Sequence, residues 1–287
     1  MSQLSYEIVD VFTDRPFTGN PLAVVFDADA LDRDQMQALA REFHLSETVF
    51  DLPPTVDGAT YRARIFTPEE ELPFAGHPSV GAAVTQMRRG LYGPGVVLQE
   101  CGAGVLPIDV EASGRATLTG GTPFVGPPLD PLPLLAALGL SESDHVGPPP
   151  RVASCGLDFH YLHVRPEAVA RAALSQVAGA FGMLCVFAWD PAHRTSHARV
   201  FAPGSGVPED PATGSAALGF GVWLVASGLL PGDDESSYVV RQGVELHRPS
   251  ILECAVSALD GEAVRVTVCG AVVQVASGQI AIPPFVG

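Results

Sequence analysis

The sequence predicts an α+β fold of two similar halves, each a curved, mainly antiparallel sheet wrapped around a central helix. Three observations lead to this prediction. Short strand-like runs separated by Gly and Pro dominate the 287 residues. An ordered series of residues in the first half recurs in the second half. Each half also carries an uncharged helical segment, and a helix without a polar face needs to be buried.

The elements of the first half follow from the hydrophobic periodicity. Apolar residues at helical spacing predict an amphipathic helix over 32–43. A second, uncharged helix is predicted to start in the segment 76–83, with Pro78 in the first turn, where proline is tolerated. Strands are predicted over 6–12, 22–26, 48–52, 61–66, 96–100, 105–110 and 116–119.

The repeat is an ordered series of matches between the halves. Residues 64–68 (Arg-Ile-Phe-Thr-Pro) recur as residues 199–203 (Arg-Val-Phe-Ala-Pro). After a gap of two residues, the segment 77–83 matches the segment 210–216, which places His77 and Asp210 at equivalent positions. We therefore expect the same strand, loop and helix in each half.

The length of the chain suits two domains. We expect an N-terminal half over residues 1–125 and a C-terminal half over 126–287, with the last strand returning to the first half. The Pro-rich stretch 123–133 is the preferred linker, and 147–150 is the alternative. The two buried helices are expected to begin near Pro78 and Pro211.

The uncharged stretch from Pro211 to Pro231 has the length of a membrane-spanning helix. It contains small residues such as Ser215, Gly219 and Ser227, and no Lys or Arg flanks either end. These features favour a helix buried inside a folded protein over a membrane span.

The composition argues against several classes of function. The net charge of −16 offers no basic surface for nucleic acid or for an anionic membrane. The five cysteines form no C-x-x-C pair, so neither a disulfide framework nor a metal site is expected. The first ten residues lack the pattern of a signal peptide. We therefore expect a cytoplasmic protein that binds neither nucleic acid nor membrane.

Both repeat segments bring backbone N–H groups to the start of a helix, where anions bind well. Small residues at Gly76, Gly214 and Ser215 allow a ligand to approach the backbone closely. If the halves pack face to face, the two helix starts converge on one pocket that holds a carboxylate.

Three side chains are candidates for chemistry, and each also has a structural interpretation. Glu47 lies between the amphipathic helix and an apolar strand. It is either a loop carboxylate or an acid whose pKa is raised by a dry wall of residues 48–50. His77 and Asp210 are either helix caps or a pair that faces across the interface between the halves.

Four motifs in order resemble the phenazine biosynthesis-like (PhzF-like) isomerase family. They are Phe17-Thr18-Gly19-Asn20-Pro21-Leu22-Ala23-Val24, Ser46-Glu47-Thr48-Val49-Phe50, Phe74-Ala75-Gly76-His77-Pro78 and Glu209-Asp210-Pro211-Ala212-Thr213-Gly214-Ser215-Ala216. Gln242-Gly243, Arg248-Pro249-Ser250 and the stretch from Val268 to Gly278 are also similar to the family. The resemblance covers nearly the whole chain. It implies the fold of diaminopimelate epimerase, with two pseudo-symmetric halves, and a homodimer.

The resemblance also implies an isomerase that needs no metal, nucleotide or flavin. Glu47 corresponds to the family's acid/base, and His77, Asp210 and Ser215 are expected to polarise or position the reacting group. The residues expected to hold a small carboxylate substrate are Asn20, Gly76, Ser79, Thr213 and Gly214. Diaminopimelate epimerase has a cysteine in each half where this chain has His77 and Asp210, which argues against a two-thiol racemase. A non-catalytic binding protein on the same fold is the alternative, and an epimerase is a minor one.

Overall fold

The computed structural model describes residues 3–203 and 208–284. The chain divides into two compact units. Unit 1 comprises Met1–Leu118 and Cys269–Gly287, and unit 2 comprises Thr119–Val268.

Unit 1 is a mainly antiparallel sheet with two helices. Its elements are β1 (Gln3–Val11), β2 (Asn20–Val25), α1 (Arg33–Phe43), β3 (Glu47–Leu52), β4 (Tyr61–Phe66), β5 (Glu71–Leu72), α2 (Gly76–Arg88), β6 (Gly95–Cys101), β7 (Gly104–Val110) and β8 (Arg115–Thr119). β2 is parallel to β3 and β4 is parallel to β6, whereas the pairs β1–β2, β3–β4, β4–β5, β6–β7 and β7–β8 are antiparallel.

Unit 2 repeats this order with additional short helices. Its elements are β9 (Phe124–Val125), α3 (Pro131–Ala137), β10 (Arg151–Ser154), β11 (Phe159–His163), α4 (Pro166–Val169), β12 (Met183–Asp190), β13 (Thr195–Phe201), β14 (Glu209–Asp210), α5 (Gly214–Ala226), β15 (Glu235–Gln242) and β16 (Ser250–Leu259). The last strand, β17 (Glu262–Ala281), begins in unit 2, and its second part pairs with β1 in unit 1. Short 3₁₀ helices lie at Ala28–Ala30, Glu142–Asp144 and Ala178–Ala180.

The strand pairing of unit 2 has the same pattern as that of unit 1. β11 is parallel to β12 and β13 is parallel to β15, while the pairs β10–β11, β12–β13, β13–β14 and β15–β16 are antiparallel. Along the chain, the central helix of each unit follows the two-residue strand and precedes the next long strand. The predicted repeat of strand, loop and helix is therefore confirmed.

The central helices α2 and α5 are buried, as their uncharged sequences predict. Every residue of α5 from Gly214 to Val225 is buried. Two tyrosine hydroxyls donate to its backbone, with 2.6 Å from Tyr161 to Ala216 O and 2.7 Å from Tyr238 to Ala217 O. None of the helices in the described part of the chain has the length and apolarity needed to cross a membrane.

The structure corrects the alignment of the repeat at the helix starts. Phe66 pairs with Glu71 in unit 1, and Phe201 pairs with Glu209 in unit 2. The connection is therefore three residues longer in unit 2, and α5 begins at Gly214 rather than near Pro211. Gly76 and Gly214 are equivalent first residues of their helices. It follows that Ser215, and not Asp210, is the counterpart of His77.

Candidate active site

Unit 1 brings three of the predicted site residues together at one edge of its sheet. Asn20 and Glu47 are the first residues of the parallel strands β2 and β3, which place Leu22 opposite Glu47. His77 lies in the first turn of α2. The N-terminal ends of the two strands and of the helix therefore converge on one point.

The imidazole of His77 is the centre of this cluster. Its Nδ1 lies 3.3 Å from Asn20 Nδ2 and 3.5 Å from Glu47 Oε2. The side chains of His77 and Glu47 are 3% and 16% exposed. On the other side of the ring, His77 Nε2 is buried and has no hydrogen-bond partner among the described residues. One ring nitrogen is thus left for a ligand.

His77 is neutral at physiological pH. Burial lowers the pKa of its imidazole from 6.5 to about 3, because the charged form loses its hydration. A neutral imidazole has one N–H donor and one acceptor nitrogen. His77 can therefore donate one hydrogen bond and accept another without carrying a charge.

The wall beside Glu47 differs from the sequence prediction. Side chains alternate along a strand, and Gln86 of α2 donates to Asp51 Oδ1 over 3.0 Å. Glu47, Val49 and Asp51 therefore face α2. Phe50 points to the opposite side, where it packs in the cluster of apolar residues around α1. The prediction that residues 48–50 form one wall was wrong for Thr48 and Phe50, because it ignored this alternation.

The first turn of α2 leaves the amides of Gly76 and His77 without intrahelical acceptors. The side chain of Ser79 has a different environment. Its hydroxyl donates to Ala75 O over 2.8 Å and accepts from Gln99 Nε2 over 2.9 Å. Ser79 thus links α2 to β6, and its side chain is not one of the groups around His77.

Unit 2 gathers the remaining predicted residues at the start of α5. Thr213 is the residue before the helix, and its hydroxyl donates to Asp210 Oδ2 over 2.6 Å. Gly214 and Ser215 form the first turn, and Ser215 is 7% exposed. Asp210 itself lies in β14, so it is not the N-cap considered from the sequence.

Gln242 supports this loop, although no role was predicted for it when its motif was compared with the family. Its Nε2 donates to Asp210 O over 2.7 Å and to Thr213 Oγ1 over 3.0 Å, and its Oε1 accepts from Thr213 N over 3.2 Å. Ser250 Oγ donates to Pro211 O over 3.1 Å. A Cβ atom on Gly243 would lie 2.6 Å from the same oxygen. The late motifs around Gln242 and Ser250 therefore hold the segment 210–213.

The arginines of the repeat stabilise the two short strands before the helices. Arg64 binds Glu71 with distances of 2.6 and 2.7 Å, and Arg199 binds Glu209 with distances of 2.8 and 2.7 Å. Such two-point contacts between guanidinium and carboxylate fix orientation as well as position. The Arg199–Glu209 pair therefore holds the residue next to Asp210.

Comparison with known proteins identifies the family. A model of the phenazine biosynthesis-like proteins matches residues 9–278. The chain belongs to this family.

Relatives in this family are named as isomerases. An uncharacterised isomerase of Mesorhizobium japonicum is 36% identical, with the alignment covering 98% of this chain and 100% of the relative. The trans-2,3-dihydro-3-hydroxyanthranilate isomerase of Pseudomonas chlororaphis is 34% identical, with 96% and 99% covered. The chain is accordingly an isomerase, as its motifs indicate.

Solved structures agree with the predicted fold. A phenazine biosynthesis protein of the PhzF family from Bacillus anthracis has a TM-score of 0.88 at 26% identity, covering 98% of this chain and 100% of that one. A probable proline racemase from Agrobacterium radiobacter has a TM-score of 0.66 at 14% identity, covering 99% and 94%. The second likeness concerns the fold alone. Two epimerase-like halves are therefore confirmed.

Three of the five cysteines are poorly suited to thiol chemistry. Burial raises the pKa of the Cys155 thiol to about 12, and it raises the pKa of the Cys101 and Cys185 thiols as well. Since the thiolate is the reactive form, these three groups are weak nucleophiles and bases at neutral pH. Within residues 3–203 and 208–284, no group of three or more His, Cys, Asp or Glu side chains could hold a metal ion.

Proposed function

We propose that this isomerase transfers a proton between two carbon atoms of a small carboxylate substrate, with Glu47 as the group that carries the proton. The observation that carries the proposal is the contact of Glu47 Oε2 with the neutral, buried imidazole of His77 at 3.5 Å. A partly buried carboxylate beside a neutral ring can take up a proton and release it again. No cofactor is required for these steps.

The reaction needs the side chains of this cluster, the backbone amides at the start of α2 and the conjugated system of the substrate. Glu47 removes a proton from one carbon atom, and the electron pair of the broken C–H bond passes into the conjugated system. Donors at the start of α2, among them the amides of Gly76 and His77, stabilise the negative charge that develops. The O–H of Glu47 then returns the proton to a second carbon atom.

Unit 2 supplies the second set of donors in this proposal. Gly214 and Ser215 begin α5, and the amides of a first helical turn have no intrahelical acceptors. They are suited to a carboxylate, while Asp210 and Thr213 hold the loop that leads to them. That these donors act on the same substrate as Glu47 stays a prediction.

The test compares Glu47→Gln with Glu42→Gln, a control on the exposed surface of α1. Trans-2,3-dihydro-3-hydroxyanthranilate, the substrate in the name of the Pseudomonas relative, is the first compound to assay, followed by other small cyclic and amino carboxylates. Because positioned acid/base catalysis contributes about 10²–10⁴-fold, we expect kcat of Glu47→Gln to fall by that factor. The Kd of Glu47→Gln for the assayed compound should stay close to that of the wild type.

Unchanged kcat in Glu47→Gln would contradict the proposal. A wild-type protein that binds these compounds but converts none of them would instead favour a binding function on this fold. The Glu42→Gln control should match the wild type in both kcat and Kd.

A further inference from the structure

We propose that Asn20 is a positioning residue that holds neutral His77 in the tautomer with its hydrogen on Nε2. In this state the ring donates a hydrogen bond from Nε2 to the substrate and does not itself take up a proton. The inference rests on the proposed function, in which Glu47 carries the proton. It assigns Asn20 a role through His77, in place of the direct substrate contact expected from the motif.

His77 Nδ1 has two polar neighbours, and they require opposite states of this nitrogen. The amide nitrogen of Asn20, at 3.3 Å, is a donor only, so it requires Nδ1 to accept. The carboxylate oxygen of Glu47, at 3.5 Å, would require Nδ1 to carry the hydrogen. The Asn20 contact is the shorter one and has hydrogen-bond geometry, whereas 3.5 Å is long for a hydrogen bond. Nδ1 is therefore an acceptor, and the hydrogen lies on Nε2.

The other ring nitrogen is consistent with this assignment. His77 Nε2 is buried without a hydrogen-bond partner among the described residues, so no described protein group opposes a hydrogen on this nitrogen. An acceptor oxygen of the substrate would satisfy an N–H at this place. A donor here becomes most favourable when negative charge develops on that oxygen.

The backbone of Asn20 has a well-defined position at the end of a tight turn. Asn20 is fully buried and pairs with Val11 in the β1–β2 ladder. Gly19 before it has a φ of +70°, and a side chain there would collide with Thr13. Asp10 Oδ2 accepts from Phe17 N over 2.6 Å and so fixes the preceding turn. The backbone of Asn20 is thus fixed by the strand and by the turn, and its side-chain nitrogen lies 3.3 Å from His77 Nδ1.

The tautomer can be measured directly in the ligand-free, full-length protein. Histidine labelled with ¹⁵N in the ring gives a correlation spectrum that distinguishes Nδ1–H from Nε2–H, and His77→Gln assigns the signals. In the wild type we expect His77 to be neutral, with its hydrogen on Nε2, throughout the neutral pH range. Asn20→Asp replaces the donor by a carboxylate acceptor of the same shape, so the hydrogen should move to Nδ1. Val177→Asp adds a charge at a side chain that is 54% exposed and lies in unit 2, and it should leave the tautomer unchanged.

A hydrogen on Nδ1 in the wild type, or an unchanged tautomer in Asn20→Asp, would overturn the inference. Should Asn20→Asp fail to fold, Asn20→Ala serves the same purpose, because removal of the donor should produce a mixture of both tautomers. In kinetics, Asn20→Asp should lower kcat by about 10²-fold, the typical loss of one transition-state donor, with a smaller change in KM. The spectrum does not depend on turnover. The tautomer assignment can therefore fail while Glu47 proves essential, and Glu47 can prove dispensable while the tautomer assignment holds.

Discussion

The burial of His77 predicts a specific dependence of stability on pH. Its imidazole has a pKa of 6.5 when exposed and about 3 in the folded protein. Between these values the unfolded chain binds a proton that the folded protein does not bind. The stabilisation is therefore complete above pH 6.5 and is lost as the pH falls toward 3.

The size of this loss of stability follows from the difference between the two pKa values of His77. Each pH unit in this window costs about 1.4 kcal/mol per proton. Between pH 7 and pH 4.5 the wild type should therefore lose roughly 2.5 kcal/mol of unfolding free energy through His77 alone. His77→Gln has no titratable side chain at this position, so it does not show this loss of unfolding free energy. Other buried groups, such as His163 with its pKa lowered to about 4 and Asp51 with its pKa raised to about 7, are common to both proteins and cancel.

The assay is urea unfolding followed by circular dichroism at pH 7 and at pH 4.5, for the wild type and for His77→Gln. The difference in unfolding free energy between the two proteins should shift by roughly 2.5 kcal/mol in favour of the variant at the lower pH. The absolute stability of the variant does not enter the test. A difference that is the same at both pH values would refute the conclusion that His77 is buried in its neutral form.

Three further predictions concern binding, packing and assembly. Ser215→Ala should weaken binding of a carboxylate ligand by about 1 kcal/mol, the loss of one neutral hydrogen bond; equal affinity by calorimetry would remove Ser215 from the site. Gly219→Ala should cost about 1–3 kcal/mol through overpacking, because its Cβ would lie 2.5 Å from the Tyr161 hydroxyl. Gly179→Ala, with no atom within 4 Å of its Cβ, is the control in thermal unfolding. Light scattering should report a homodimer, and a mass near 30.0 kDa would contradict that expectation.

Hydrophobic periodicity was sufficient to predict most elements of unit 1. The strand over 61–66 has the predicted bounds, and the helix predicted over 32–43 runs from Arg33 to Phe43 with Asp32 as its cap. The burial of α5 could be predicted because its sequence offers no polar face to water. The start of α5 could not be placed, because the length of a connection is not encoded in the residues that flank it.

The sequence only partly predicted which residues lie close together in the site. The motifs named Glu47 and His77, but the contact between Asn20 and His77 joins residues 57 positions apart. It depends on the packing of α2 against β2, which does not follow from local patterns. The sequence could have predicted that Thr48 and Phe50 face away from Glu47, since side chains alternate between the two faces of any strand.

The central claim is that Glu47 carries a proton to and from carbon, and solvent exchange tests it most directly. The wild type, Glu47→Gln and the Glu42→Gln control are incubated with the same compound in D₂O, and deuterium on carbon is followed by NMR. We expect the wild type and the control to incorporate deuterium at equal rates. Glu47→Gln should be slower by at least about 10²-fold, while it still binds the compound. Incorporation by Glu47→Gln at the wild-type rate would show that another group is the base.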